Sequence, residues 1–159
     1  MLAGPAPRIV GGVPNRCCSR PRRPVYGHML KNTNNPEGCE QADFVSALLA
    51  LVFTLDGPDG VRSSFETSAR FQGYEGTLHG GMISALLDAA MGECLFSKGI
   101  LAVTAEMTVR FLRPVPLDRT VDLRAVLVSA RHGLFLLSAG LSLDDRPLAR
   151  ATGKFRRRA

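Results

Sequence analysis

From Val45 onward the chain divides into apolar stretches separated by turn-forming residues. Residues 45–55 are apolar and strand-like, and Gly57-Pro58-Asp59-Gly60 is a strong turn signal. Residues 61–66 alternate and fit the returning strand of a hairpin. A glycine-rich loop from Gly73 to Gly81 leads into residues 82–96, the one segment with helical periodicity. There Ile83, Leu86, Leu87, Ala90, Met91 and Cys94 recur at i, i+3, i+4, i+7. Ala85 and Ala89 leave most of the remaining surface small and apolar, so the pattern predicts a helix buried on all sides.

Four further strand-like runs follow, at 102–111, 120–130, 134–143 and 147–155. Their breaks are Arg113-Pro114-Val115-Pro116, Arg131-His132-Gly133 and Asp144-Asp145-Arg146, short links of the kind that join antiparallel neighbours. The order of two strands, one helix and four strands predicts an α+β fold. One antiparallel sheet of about five to six strands wraps a long central helix, in a single domain over residues 45–159.

The 159 residues are 45% hydrophobic and 21% charged, the composition of an ordinary globular domain. No apolar run approaches the roughly 20 residues of a bilayer-spanning helix. The expected setting is cytoplasmic, with mitochondria second. Residues 1–44 differ: six prolines, several arginines and no acid before Glu37 give no sustained periodicity. Such a stretch cannot bury enough apolar surface to offset its ordering entropy. It fits a disordered extension, or a chain whose physiological start is Met29, better than a targeting segment, whose helix these prolines would break.

The net charge of +6 raises the question of nucleic acid. Six basic residues against three acids before Val45 account for half of it. No nucleic-acid-binding signature accompanies the charge, and two tyrosines with no tryptophan make a poor stacking platform. A basic rim for the phosphates of a small ligand serves as well. Cys17, Cys18, Cys39 and Cys94 match no zinc spacing and no disulfide framework, and Cys94 falls on the apolar helix as a packing residue. No metal site is expected.

Asp88 is the only ionisable residue between Met82 and Gly92. A carboxylate on an apolar helix is costly unless bonded, so it is either a structural hydrogen-bonding group or a reactive one. His79-Gly80-Gly81 lies just ahead of the helix, where backbone N–H groups have no internal partner and the dipole favours an oxyanion. His79 and Asp88 are nine residues apart, about 13 Å along a helix and on opposite faces. They cannot reach the same carbonyl within one chain. If they act together, the helix start of one subunit must meet Asp88 of a two-fold partner.

Gly76-Thr77-Leu78-His79-Gly80-Gly81, Leu86-Leu87-Asp88, Ala102-Val103-Thr104-Ala105-Glu106 and Arg110-Phe111-Leu112-Arg113-Pro114-Val115 together resemble the hotdog-fold acyl-CoA thioesterases. The phenylacetate-pathway type, with its HGG motif and central-helix Asp, is the nearest pattern. The resemblance covers residues 65–155. It implies that Gly80 donates its N–H to the thioester carbonyl and that Asp88 acts as general base or nucleophile. His79 would position the loop and the thiolate leaving group, and Thr104 would bond the attacking water or the carboxylate. Gly81, Gln72 and Met82 are implied in substrate binding, and Arg113, Arg131, Lys154 and Arg156 are candidates for coenzyme A phosphates. Acyl-CoA is the implied substrate, a homodimer or homotetramer the implied assembly, and no cofactor is needed.

The chain departs from the pattern in two places. Some relatives have an Asn where Gly73 stands, beside Gln72, and others have a Glu where Ala89 follows Asp88. The competing expectations are a non-catalytic acyl-CoA sensor or scaffold, which has no need of Asp88, and a hotdog dehydratase or hydratase, whose paired His and acid are absent here.

Overall fold

The computed structural model describes residues 44–158. The expectations for residues 1–43, including Cys17, Cys18, Cys39 and a start at Met29, lie outside the described residues. The elements run α1 (Phe44–Leu48), β1 (Thr54–Leu55), β2 (Gly60–Glu66), a 3-10 turn (Ala69–Phe71), α2 (Gly80–Phe96), β3 (Ala102–Phe111), β4 (Thr120–Arg131), β5 (Leu134–Leu143) and β6 (Arg146–Arg157). The strands form one six-stranded sheet in the order β1-β2-β4-β5-β6-β3, antiparallel throughout. This is the expected fold class.

Alternation along the strands sets the core. Val61 and Phe65 of β2, Val121, Leu123 and Ala125 of β4, and Phe135, Leu137, Ala139 and Leu141 of β5 point inward. Ala149, Ala151 and Phe155 of β6 do the same. They close on Ile83, Leu86, Leu87, Ala90, Met91, Cys94 and Leu95 of α2. Each fully buried leucine here contributes roughly 1.5–3 kcal/mol relative to exposure.

Three expectations are corrected. Residues 45–55 are mostly not strand: α1 occupies the start, and only Thr54 and Leu55 pair with β2. Ser46-Ala47-Leu48-Leu49 is rich in good helix formers, and Ala50, at φ 52°, ends the turn. Propensity overrode apolarity there.

The link after β3 does not join sheet neighbours, because β3 pairs with β6 and β4 pairs with β2. Pro114 and Pro116 keep that link out of any regular ladder, and the Val115 carbonyl accepts from Leu78 N instead (2.9 Å).

Nor is α2 enclosed on all sides by the described residues. The sheet covers the face carrying Leu86, Leu87, Ala90 and Met91. Ser84, Ala85, Asp88 and Gly92 form a half-buried stripe, and the position of a side chain at Gly92 is open space.

Candidate active site

The loop before α2 is folded tightly from its own residues. His79 N donates to Phe71 O (2.9 Å), and Gly73 N donates to Thr77 O (2.9 Å). Gly76, at φ +70°, makes the reversal, and Gly76 N donates to Gln72 Oε1 (3.3 Å). Gln72 is thereby engaged in holding the loop. Gly73 is equally committed, since a Cβ there would lie 2.9 Å from the His79 Cα. Close approach at this position, rather than a polar side chain, is what the chain uses.

His79 is the N-cap of α2, with extended backbone and Nδ1 accepting from Gly81 N (2.9 Å). The His79 carbonyl accepts from both Met82 N (2.9 Å) and Ile83 N (3.1 Å). Of the first four N–H groups of the helix, only that of Gly80 has no partner among the described residues. It stands at the positive end of a 17-residue helix, suited to an oxyanion. An Nδ1 that accepts leaves the proton of a neutral imidazole on Nε2, where it can donate outward.

Asp88 lies two turns further along on the uncovered stripe, half-buried. Thr104 Oγ1, from β3, donates to Asp88 Oδ1 (2.8 Å). Thr104 pairs with Phe155 and so faces the helix, just before an irregularity between Thr104 and Glu106. From Gly80 to Asp88 is about 12 Å along the axis at helical rise.

The other expected residues divide. Met82 is half-buried at the rim of the core beside the helix start. Arg113 Nη1 donates to Pro147 O (2.7 Å), which ties the end of β3 to β6. Arg131 and Arg156 are exposed near strand ends. Lys154 is not at a strand end: it lies within β6, next to the inward Phe155, and its Nζ bonds Glu106 Oε2 (2.8 Å) on the face away from α2. The structure thus gathers His79, Gly80, Gly81 and Met82 at one place and Asp88 with Thr104 at another. Lys154 joins neither.

Two contributors escaped the sequence reading as individual residues. Phe111 lies against the helix start, 3.6 Å from where a Gly80 Cβ would be, and is half-exposed there. Thr67 is buried with its Oγ1 2.9 Å from the carbonyls of both Pro116 and Arg119, and it accepts from Arg119 N (3.0 Å). It fixes the segment whose Val115 holds Leu78. Phe111 carried a signal, as an inward position at the end of an alternating strand; an isolated threonine carries none.

Cys94 is buried, with Sγ 3.3 Å from the Asp59 carbonyl. Burial pushes its thiol above the ordinary value, against the lowering effect of nearby Lys98. It is a packing residue, as expected. Among the described residues, no three His, Cys, Asp or Glu side chains gather where they could hold a metal ion. No described helix is long and apolar enough to cross a membrane.

Residues 75–148 match the family model of the thioesterase superfamily, across the HGG loop, α2 and the strands that follow. Over that stretch the folded domain is similar to the thioesterase superfamily. Bovine (Bos taurus) acyl-coenzyme A thioesterase THEM4 is 34% identical over 93 residues, 57% of this chain and 38% of that protein. The chain therefore spans about two fifths of the length of the curated relatives it matches. Among solved structures, the Escherichia coli PaaI protein from the phenylacetic acid degradation operon superposes with TM-score 0.68 at 20% identity, covering 73% of this chain and 89% of that one. A hypothetical thioesterase of Streptococcus pneumoniae solved with coenzyme A gives 0.63 at 18% identity, covering 69% and 88%. Two variants of that pneumococcal protein are also similar in fold, one with an aspartate and one with a threonine replaced by alanine, sixteen positions apart. The sequence likeness to the thioesterase superfamily thus lies in the core, and the fold likeness extends over most of the described domain.

Proposed function

We propose that the chain is an acyl-CoA thioesterase of the phenylacetate-pathway type, acting as a dimer in which each active site takes residues from two subunits. One observation carries the reading. On one helix, the terminal N–H that has no partner among the described residues (Gly80) and a threonine-bonded carboxylate on the stripe those residues leave half-buried (Asp88) lie too far apart to serve the same carbonyl. Support comes from the bovine acyl-CoA thioesterase and from the coenzyme A bound to the pneumococcal protein. The aspartate and threonine replaced in that protein have the spacing of Asp88 and Thr104.

The partner surface is defined by what one chain leaves unmet. Among the described residues β3 is an edge strand of ten residues whose outer row of N–H and C=O groups is unpaired, with Val103 and Phe111 exposed along it and Leu101 exposed just before it. The Ser84-Ala85-Asp88-Gly92 stripe lies beside it. Two-fold pairing along β3 would set two such helices antiparallel, with Asp88 of each facing the helix start of the other.

In that site the Gly80 N–H polarises the thioester carbonyl and stabilises the oxyanion. Asp88 of the other subunit, oriented by Thr104, takes a proton from water as its oxygen attacks the carbonyl carbon. Collapse breaks the carbon–sulfur bond, and the coenzyme A thiolate leaves near His79 Nε2–H. If Asp88 attacks directly, a mixed anhydride forms first and water then cleaves it. Gly81 and Met82 line the acyl entrance, while Arg113 and Arg131 are the candidates for coenzyme A phosphates. Acyl-CoA is the substrate, and the step needs no redox cofactor.

The test is thiol release from a panel of acyl- and aryl-CoAs by wild type and Asp88→Asn. Turnover that is lost in the variant supports the mechanism, and turnover that survives unchanged refutes it. Saturable CoA-ester binding without turnover by wild type would place the chain among acyl-CoA sensors instead.

A further inference from the structure

The sheet face turned away from α2 carries a row of side chains set by strand register. Arg62 of β2 stands opposite Arg124 of β4, and Arg124 stands opposite Gly140 of β5. Gly140 in turn faces Arg150 of β6, and Arg150 faces Arg110 of β3. The register shifts of these strands all fall elsewhere, so the row runs unbroken across five strands. Their neighbours Val61, Ala125, Ala149 and Ala151 are buried inward, and all four arginines are exposed outward.

Adjacent strands lie about 4.8 Å apart, so Arg62 and Arg110 are separated by roughly 19 Å and Arg124 and Arg150 by roughly 10 Å. Like charges opposite one another across a sheet are destabilising. Relief is partial. Asp56 Oδ2 accepts from Arg124 Nε (2.5 Å), but no carboxylate lies within ion-pair distance of Arg62, Arg110 or Arg150 among the described residues. At the centre Gly140 has no side chain, and one added there would meet only the Ala149 carbonyl, at 4.0 Å. The result is a trough of about 330 Å³ lined by Arg124, Val126, Ser138, Gly140, Ser142 and Arg150.

We propose that this trough binds a small anion carrying two or more phosphate groups, either free in solution or as a phosphorylated lipid headgroup. Guanidinium groups form forked, charge-assisted hydrogen bonds to phosphate oxygens, and two of them wall the trough. The hydroxyls of Ser138 and Ser142 flank Gly140 along β5 on the same face and supply further donors. Other occupants fit worse. Residues 1–43 are net basic, and a second copy of this face would set four guanidiniums against four. The row contains no aromatic side chain on which a nucleobase could stack. Asp88 and Gly80 belong to the helix on the opposite side of the sheet, so this site is separate from the proposed thioester chemistry and does not rest on it.

The experiment titrates the full chain with sodium tripolyphosphate by calorimetry at near-physiological salt, for wild type, Arg150→Gln and Gly140→Asp, with circular dichroism as the folding control. Saturable binding by wild type, weakened at least tenfold in Arg150→Gln, is expected. Tripolyphosphate should also raise the melting temperature of wild type and Arg150→Gln unequally, with the larger rise in wild type. Vesicles of phosphatidylcholine with and without a bisphosphorylated inositol lipid separate the sources. Sedimentation with the phosphorylated vesicles that tripolyphosphate competes away assigns the headgroup, and tripolyphosphate binding without sedimentation assigns a free anion. Absence of saturable tripolyphosphate binding, or equal affinity in wild type and Arg150→Gln, overturns the proposal. Gly140→Asp, which puts a carboxylate in the trough without touching an arginine, must lose binding as well.

Discussion

Thr104 Oγ1 lies 2.8 Å from Asp88 Oδ1, a hydrogen bond that joins the first half of β3 to the middle of α2. The hydroxyl donates to one carboxylate oxygen and fixes the plane of the group, while Oδ2 has no partner among the described residues. A reactive carboxylate needs this kind of constraint, because a misplacement of about 1 Å can cost on the order of 10²-fold in rate. Thr104→Val should therefore lower kcat by about 10–100-fold with a smaller change in KM, and Thr104→Ser should restore most of it. Steady-state kinetics on one well-turned-over acyl-CoA decide the matter; equal loss in both variants would assign Thr104 to packing.

The two glycines at the helix start have different tasks. A Cβ at Gly81 would lie 2.9 Å from His79 Nδ1, in the place of the capping bond, whereas one at Gly80 would make ordinary contact with Phe111 at 3.6 Å. Gly81→Ala should thus displace the His79 cap, costing about 1 kcal/mol of stability, and misdirect the Gly80 N–H. Gly80→Ala keeps that N–H. We expect Gly81→Ala to lose activity by about 10²-fold or more, the range seen when an oxyanion donor is removed. Gly80→Ala should stay within a few-fold of wild type. Paired melting curves and kcat values check both.

Much of this was legible in the chain. The alternation of Phe135, Leu137, Ala139 and Leu141 and the i, i+4 recurrence of Leu86, Leu87, Ala90 and Met91 specify which faces meet, because burial of those faces is what the sheet and helix are for. The spacing of the HGG loop and the helix singles out His79, Gly80 and Asp88, and the resemblance to hotdog thioesterases adds Thr104; the structure sets His79 and Gly80 at the start of α2 and Thr104 on Asp88. The failures share a cause. Residues 45–55 are short and apolar, and periodicity cannot distinguish a buried turn of helix from a strand over so few residues. The partner of β3 and the outward side of Lys154 depend on non-local pairing, which one strand does not encode. The open stripe at Ala85 and Gly92 reads as buried in the sequence, since small residues suit a close neighbour whichever chain supplies it.

Burial holds the Cys94 thiol above its ordinary value, with Lys98 opposing the shift. The folded chain should react with a thiol reagent at this position far more slowly than the unfolded chain. The pH dependence follows from the sign. With the folded value raised, the unfolded chain gives up this proton first and binds fewer protons at alkaline pH. This contribution to stability is complete below the unfolded thiol value and is lost as pH rises towards the folded one. A chain with Cys94→Ala should show a shallower alkaline decline in melting temperature than wild type. Labelling of the native chain at the unfolded rate would contradict the buried placement.

Gly153 explains how closely α2 can lie on the sheet. It occupies an inward position of β6 between Ala151 and Phe155, and a Cβ there would fall 2.9 Å from Met91 Sδ and 2.8 Å from Phe155 Cε2. Met91 and Phe155 are both fully buried, so neither has open space to move into. Gly153→Ala should overpack this contact and destabilise the domain by about 1–3 kcal/mol. The effect should extend to function, because β6 carries β3, and β3 carries Thr104 to Asp88. Shortening the opposing side chain in Gly153→Ala/Met91→Ala should recover less than additive loss, since the two substitutions share one space. Denaturant unfolding of the two single variants and the double variant measures that coupling; strictly additive losses would mean that Gly153 and Met91 do not compete for the same volume.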